Sequence, residues 1–187
     1  MGFCDFPVDV EVLKGRECYG GLDLSSSIDI TAFVLVFPPR DEKENYIILP
    51  FFWIPEENMR LRVRRDHVPY DVWVQRGFLE TMEGNVIHYG FIEKYIDNLG
   101  KQFHIKEIAF DRWGAVQMVQ NLEGLGFTVV PFGQGFKDMS PPSKRLMELT
   151  LEKRLSHSGH PVLRWMMDNI FIRRGILSRI RRSLQRR

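Results

Sequence analysis

The sequence predicts a mixed α/β fold, in which a meander of three antiparallel strands comes first and parallel crossovers follow, flanked by helices. Three observations predict this fold. Apolar runs rich in β-branched and aromatic residues open the chain, a charged loop joins two of them, and apolar residues at helical spacing then alternate with shorter apolar runs. The length of 187 residues and the apolar fraction of 44% are those of one globular domain with its own core.

The predicted meander consists of strands at residues 19–24, 29–37 and 46–53. The first strand ends in a run of serines, and two prolines end the second. The charged residues 40–45 then form a loop into the third strand, so that consecutive strands run in opposite directions. The polar, arginine-rich residues 55–68 predict a surface loop or a short helix.

The rest of the chain predicts helices that alternate with short strands. Gly100 follows the helical spacing of residues 91–99, and the strand at residues 105–110 ends at Asp111. The other predicted elements are helical turns at residues 71–76, a helix at 115–122, a strand at 127–131, a helix that begins at Ser140 and carries Leu146, Leu149 and Leu155 on one face, and a short helix at 161–170.

Charge is unevenly distributed along the chain. The net charge is +2, but the last fifteen residues hold seven arginines and no acid, which leaves 19 basic against 24 acidic residues in the rest. This asymmetry indicates a nucleic-acid-binding arm, or a tail that does not belong to the design of the body. Residues 176–184 of the tail predict an amphipathic helix or disorder.

The sequence holds no targeting signal that we recognise. No stretch approaches eighteen apolar residues, so we expect no transmembrane helix, and acidic residues near the N-terminus exclude a signal peptide. The two cysteines, Cys4 and Cys18, lack the spacing of a metal motif and indicate a reduced, cytosolic setting.

Asp23 and Asp111 form the strongest candidate site. Each lies at or near the end of a predicted apolar strand, where sites of open α/β sheets gather. If the two strands are neighbours, the carboxylates converge, and a hard cation such as Mg²⁺ or Mn²⁺ would relieve their repulsion. Two such ions could clamp the attacking and leaving oxygens of a phosphodiester. The alternative is that each aspartate caps the turn or helix that follows it.

Two other features could contact DNA. Gln134 lies between two glycines after a strand and could touch a phosphate, although a plain turn is the alternative. A basic stretch could follow the DNA backbone or form a solvated charged loop. Its members are Arg60, Arg62, Arg64 and Arg65.

The remaining candidates have simpler interpretations. Asp29 could cap a turn, and Asp168 is a possible extra acid or a surface helix residue. His157 and His160 lack the further ligands of a zinc site, so we expect a solvated loop there. The four tryptophans favour core positions over a base-stacking platform.

Four motifs follow one another along the chain. They are Gly21-Leu22-Asp23-Leu24-Ser25-Ser26, the run from Ile108 to Ala115, the run from Val130 to Phe136 with Met139-Ser140-Pro141-Pro142, and His160-Pro161-Val162-Leu163-Arg164-Trp165 with Asn169. In this order they resemble the C-terminal nuclease domain of tailed-phage terminase large subunits, in the HK97-like branch. The resemblance covers roughly residues 19–172 and leaves residues 1–18 as the end of an interdomain linker and residues 173–187 as a basic tail.

The resemblance implies a ribonuclease H-like fold and a two-metal endonuclease that cuts concatemeric phage DNA during head packaging. It implies that Asp23 is the metal ligand of the first strand and that Asp111 is the second acidic ligand, with Mg²⁺ or Mn²⁺ as the cofactor. The implied partners are double-stranded DNA, the terminase ATPase domain, the small subunit and the portal, in the cytoplasm of a bacterial host and without a membrane.

Two departures from the family pattern stand out. The sequence holds no P-loop motif, so we expect that this chain cannot be the ATPase motor by itself. The family's third ligand, an Asp in a Lys-Ile-Asp-Gly-like motif on the closing helix, is also absent. One choice of codons for residues 175–187, read in a shifted frame, gives Asp-Ile-Lys-Pro-Asp-Lys-Glu-Lys-Ser-Thr-Glu-Lys, which resembles the missing segment. Our hypothesis is a frameshift near Arg174.

Two alternatives to an active terminase nuclease follow from the same residues. The chain is a catalytically inactive remnant that binds DNA or packaging components, or it is another ribonuclease H-like enzyme such as a transposase or a resolvase. The last two motifs of the resemblance argue against the second alternative.

Overall fold

The structure, a computed structural model, describes residues 4–25, 29–111, 116–173 and 179–182. Of residues 58, 60, 61, 171–173 and 179–182 it describes the backbone only. After a short 3₁₀ helix at Glu11–Leu13, the elements are β1 (Glu17–Asp23), β2 (Thr31–Phe37), β3 (Tyr46–Pro55), α1 (Glu56–Asp66), α2 (Tyr70–Gln75), β4 (Glu80–Met82), α3 (Tyr89–Gly100), β5 (His104–Asp111), α4 (Val116–Gly124), β6 (Val129–Phe132), α5 (Phe136–Leu151), β7 (Leu155–Ser156), α6 (Pro161–Asp168), β8 (Ile170–Arg173) and β9 (Arg179–Arg182).

Within the described residues, the central sheet has seven strands in the order β4-β3-β2-β1-β5-β6, with β7 beside the start of β3. The first three strands form the predicted antiparallel meander, and β5 and β6 run parallel to β1 as predicted. The mixed α/β prediction is therefore confirmed.

Apart from a register shift between β1 and β5 at Cys18 and Tyr19, side chains alternate between the two faces of this sheet. Leu22, Phe33 and Ile108 face α3 and α4 and form the larger core with the buried residues of those helices. On the opposite face, Ala32 and Phe52 pack with α1, α2 and α6. A third cluster joins α5 to β3 and β7 through Cys4, Ile48, Leu149 and Leu155.

Several elements differ from the sequence predictions. The arginine-rich stretch is the helix α1, which is the second of the two predicted options. Helix α5 begins at Phe136 rather than at Ser140 and contains two prolines near its start. Leu155 is buried in β7 and not on a helix face, and the short strand β4 was not predicted.

Described residues near both ends of the chain also differ from the predictions. Cys4 and Leu13, in the predicted leader, are fully buried, and the His157 amide donates to the Cys4 carbonyl. In the tail, residues 179–182 form an antiparallel strand with β8 instead of the predicted helix or disorder, whereas residues 174–178 and 183–187 lie outside the described residues. Of the helices that the structure describes, none is both long and apolar enough to cross a membrane.

Candidate active site

Asp23 and Asp111 are the last residues of two neighbouring parallel strands. Leu22 pairs with Phe110 in the register of β1 and β5, so the aspartates that follow lie side by side. Because Leu22 and Phe110 belong to the α3–α4 core, the alternation of side chains places both carboxylates on the opposite face of the sheet. Both residues are half-buried. The structure brings the predicted pair together, while its role stays a prediction.

The loop after β6 lies at the same edge of the sheet. Asp111 pairs with Phe132, so Gly133 and the exposed Gln134 come directly beyond the level of the carboxylates. Asp138, in the first turn of α5, folds back over this loop, and a Cβ at Gly133 would collide with its carboxylate. A side chain at residue 133 would therefore have to displace the carboxylate of Asp138 from this loop.

Ser25, two residues after Asp23, is fixed by three hydrogen bonds. Its amide donates to Thr31 Oγ1 (3.1 Å) and its hydroxyl donates to the Asp29 carbonyl (2.6 Å). The Tyr89 hydroxyl donates to the Ser25 carbonyl (3.4 Å). The bonds join the exit of β1 to the start of β2 and to α3.

The basic stretch is not a uniform surface. Arg62 is 3% exposed and donates from Nε to Asp66 Oδ2 at 3.1 Å. Its Nη1 lies 3.7 Å from Asp29 Oδ1, and its guanidinium lies over the Tyr70 ring at 5.1 Å. Its charge is turned into the protein, so the burial of Arg62 does not favour the prediction that it follows a DNA backbone.

The other arginines of the stretch have different surroundings. Arg64 and Arg65 are exposed, and Arg65 donates to both carboxylate oxygens of Asp66. The side chain of Arg60 lies outside the described residues. Only the exposed part of the stretch thus fits the predicted contact with DNA.

The two histidines are packed rather than solvated, contrary to the prediction. The His157 side chain is fully buried, with Nε2 at 3.7 Å from Asp5 Oδ1. His160 caps α6, where its Nδ1 accepts from the Leu163 amide (3.5 Å) between the rings of Phe52 and Phe78. Burial, and after it the charge of His157, lower the pKa of His160 from 6.5 to about 4.

The remaining candidates of the sequence analysis are Asp168 and the four tryptophans. Asp168 is exposed at the end of α6. Trp53 is buried and donates from Nε1 to Glu80 Oε2 (3.1 Å), while Trp73 and Trp165 pack against each other, as expected for core residues. Trp113 lies outside the described residues.

The donor set at the sheet edge suits a hard cation only in part. Within the described residues, which include every Asp, Glu, His and Cys of the sequence, no group of three such side chains is arranged to hold a metal ion. Two adjacent carboxylates match one Mg²⁺ or Mn²⁺ that keeps several waters, since Mg²⁺ is commonly bound by one or two carboxylates. The pair therefore fits one ion better than two.

This strand order, in which a meander of antiparallel strands is followed by parallel crossovers, is that of the ribonuclease H-like class. The model of the terminase large subunit endonuclease domain matches residues 4–183. The chain belongs to this family. The match begins inside the predicted leader and ends inside the predicted tail.

Individual relatives agree with the family assignment. The large terminase subunit of Enterobacteria phage HK97 is 39% identical over 150 residues, which are 79% of this chain and 29% of that protein. The crystal structure of the HK97 large terminase superposes with a TM-score of 0.84 at 34% identity, over 96% of this chain and 37% of that one. The large terminase nuclease of thermophilic phage G20c with bound magnesium has a TM-score of 0.56 at 12% identity, over 91% of this chain and 75% of that one. This chain spans about a third of the length of its HK97 relatives.

Proposed function

We propose that this chain is a metal-dependent DNA endonuclease domain of a phage or prophage packaging terminase, with Asp23 and Asp111 as the metal ligands. The observation that carries the proposal is the register of β1 and β5, in which both strands end on aspartates on one face. A bound Mg²⁺ or Mn²⁺ would supply charge neutralisation at the scissile phosphodiester and an activated water. The magnesium in the structure of the G20c nuclease supports this choice of ion.

The chain's own residues would position the DNA around this pair. The exposed Gln134 lies at the same sheet edge and could donate from its amide to a phosphate oxygen. Arg64 and Arg65 are exposed and could add sequence-independent contacts to the backbone. The further partners would be the ATPase domain, the small subunit and the portal, in the host cytoplasm.

A second candidate is an inactive domain that still binds DNA. It is favoured by the absence, within the described residues, of a third carboxylate beside the pair. A frameshift near Arg174 that removed the third ligand would account for this absence, and the coding DNA tests that idea directly. The family assignment decides against a transposase or a resolvase.

Cleavage of supercoiled plasmid with Mn²⁺ tests the proposal. We expect the wild-type chain to nick or linearise the plasmid, and Asp23→Asn to abolish this activity because it removes one of two adjacent charges. Asp168→Asn is the matched control, since this aspartate is exposed on α6. A folded chain that binds DNA but never cuts it would establish the second candidate, and restoring an in-frame closing helix would then be the next experiment.

A further inference from the structure

Arg62 has an environment that its position in a basic stretch does not predict. Its side chain is 4% exposed, and it joins two carboxylates from different parts of the chain, Asp66 on its own helix and Asp29 before β2. Asp66 is the stronger partner by distance, at 3.1 Å against 3.7 Å for Asp29. The bond from Nε to Asp66 uses one of the five N–H donors of this buried guanidinium, and Nη1 is the group that lies near Asp29.

Asp29 connects Arg62 to the residues that follow Asp23. The backbone carbonyl of Asp29 accepts from the Ser25 hydroxyl, and the Ser25 amide donates to Thr31, which is fully buried. The chain from Arg62 to Asp29 and Ser25 therefore ends two residues from Asp23. Each link is a polar contact between described residues, and together they tie helix α1 to the exit of β1.

We propose that Arg62 is a positioning residue for Asp23, which acts through Asp29 and Ser25 to hold the exit of β1 in the conformation that presents the carboxylate. The inference rests on the proposed function, because it assigns a partner to the proposed metal ligand. Residues that orient metal ligands commonly change metal affinity 10–100-fold when they are replaced. Arg62 would act in this way without contacting metal or DNA.

Charge and position make opposite predictions for Arg62. If Arg62 acted only through its charge, Arg62→Gln would remove a cation near the site and strengthen the binding of Mn²⁺. If Arg62 positions Asp23, the same change weakens binding. Asp29→Asn cuts the tie at an exposed side chain and keeps the shape, so it serves as a second variant should Arg62→Gln fold poorly. Because it also removes a negative charge, which by itself weakens the binding of a cation, its decisive readout is the exchange at Ser25.

Arg16 provides a matched control at the opposite edge of the sheet. It is also a poorly exposed arginine, 2.7 Å from Glu44, with its guanidinium 6.0 Å from the centre of the Phe37 ring. It precedes β1, so about 23 Å of strand separates it from Asp23. Arg16→Gln should therefore disturb a similar ion pair and lower stability without changing the metal site.

The test is calorimetric titration of the folded full chain with Mn²⁺ alone, beside amide hydrogen exchange at Ser25. We expect Arg62→Gln and Asp29→Asn to weaken Mn²⁺ binding about 10–100-fold and to speed exchange at Ser25, and Arg16→Gln to do neither. Two results would overturn the inference. One is Mn²⁺ binding within twofold of wild type in both variants. The other is that Arg16→Gln speeds the exchange at Ser25 as much as these variants do. Mn²⁺ binding at the proposed site should be lost in Asp23→Asn. If the wild-type chain shows no such binding, the proposed metal site fails. The exchange at Ser25 alone then decides whether Arg62 holds this turn.

Discussion

His160 should make the stability of this domain depend on pH. Its half-buried ring packs against Phe52 and Phe78 and caps α6 through an unprotonated Nδ1, an arrangement that only the neutral imidazole can keep. Its pKa is accordingly lowered from 6.5 to about 4. Between these two values the unfolded chain binds a proton at this position and the folded chain does not, so the free energy of unfolding falls as the pH falls.

The size of this effect follows from the shift. Each pKa unit corresponds to about 1.4 kcal/mol, so the window from pH 6.5 to about 4 is worth at most about 3 kcal/mol. About 2 kcal/mol of this stability is already lost at about pH 5, where most carboxylates are still ionised. Urea unfolding followed by tryptophan fluorescence, at neutral pH and at about pH 5, measures the loss.

His160→Asn isolates the contribution of this residue. Asparagine keeps an oxygen that can cap α6, so only the ring contacts are lost, at a cost of about 1 kcal/mol at neutral pH. We expect the variant to lose much less stability than wild type between neutral pH and about pH 5. His67→Asn is the control, because His67 is exposed and has a φ of 54°, which asparagine adopts readily. Parallel losses in wild type and His160→Asn would refute the reasoning.

Two further predictions concern the packing of β1. Gly20→Ala would place its Cβ 2.9 Å from Phe33 Cε2 and 3.2 Å from Ile108 Cγ1, so we expect it to lower the free energy of unfolding by about 1–3 kcal/mol in urea titrations. Gly21→Ala, whose Cβ meets nothing closer than 4.0 Å, should cost little, and equal losses would contradict the packing argument. Burial raises the pKa of Cys18 to about 12, so this thiol should react with an aromatic disulfide reagent only in denaturant, and rapid labelling of the native protein would show that the core opens.

The strands were predictable because their signals are local. Composition and turn residues locate β1, β2, β3 and β5 within a few residues. The short loops of the meander and the predicted helices between the later strands indicate the strand directions. The very short strands β4 and β7 carry no such signal, since each exists only by pairing with β3. Their formation depends on tertiary contacts that a local pattern does not contain.

The start of α5 shows how a correct rule can select the wrong residue. Proline is favoured in the first turn of a helix, so Ser140 and the two prolines after it predict a helix start. The helix begins four residues earlier, with Gly135 as its cap, and the Ser143 hydroxyl donates to the Met139 carbonyl beside the prolines. The glycines before Phe136 were the signal that could have located the true start.

The positions of the candidate pair were predictable from the sequence, but their surroundings were not. Strand ends and residue type select Asp23 and Asp111, whereas the one-to-one register that makes them neighbours is a property of the assembled sheet. The burial of Arg62 was harder to predict from the sequence, because its partner Asp29 lies 33 residues before it in the chain. The spacing of four residues between Arg62 and Asp66 was the available signal that this arginine is paired rather than free.

The geometry of the pair favours the proposed cation over a capping role. Side chains at equivalent positions of adjacent strands lie about 5 Å apart, and two carboxylates at that distance repel each other by about 1–3 kcal/mol for effective dielectric constants of about 80 to 20. A capping role needs only one acceptor at each strand end, which asparagine or serine supplies without this repulsion. On the same face, Gly21 and Ala109 pair with each other just before the aspartates and add almost no bulk. Small residues beside two acids suit a proposed site for an ion with its waters and a phosphate, whereas a pair of helix caps would not require them.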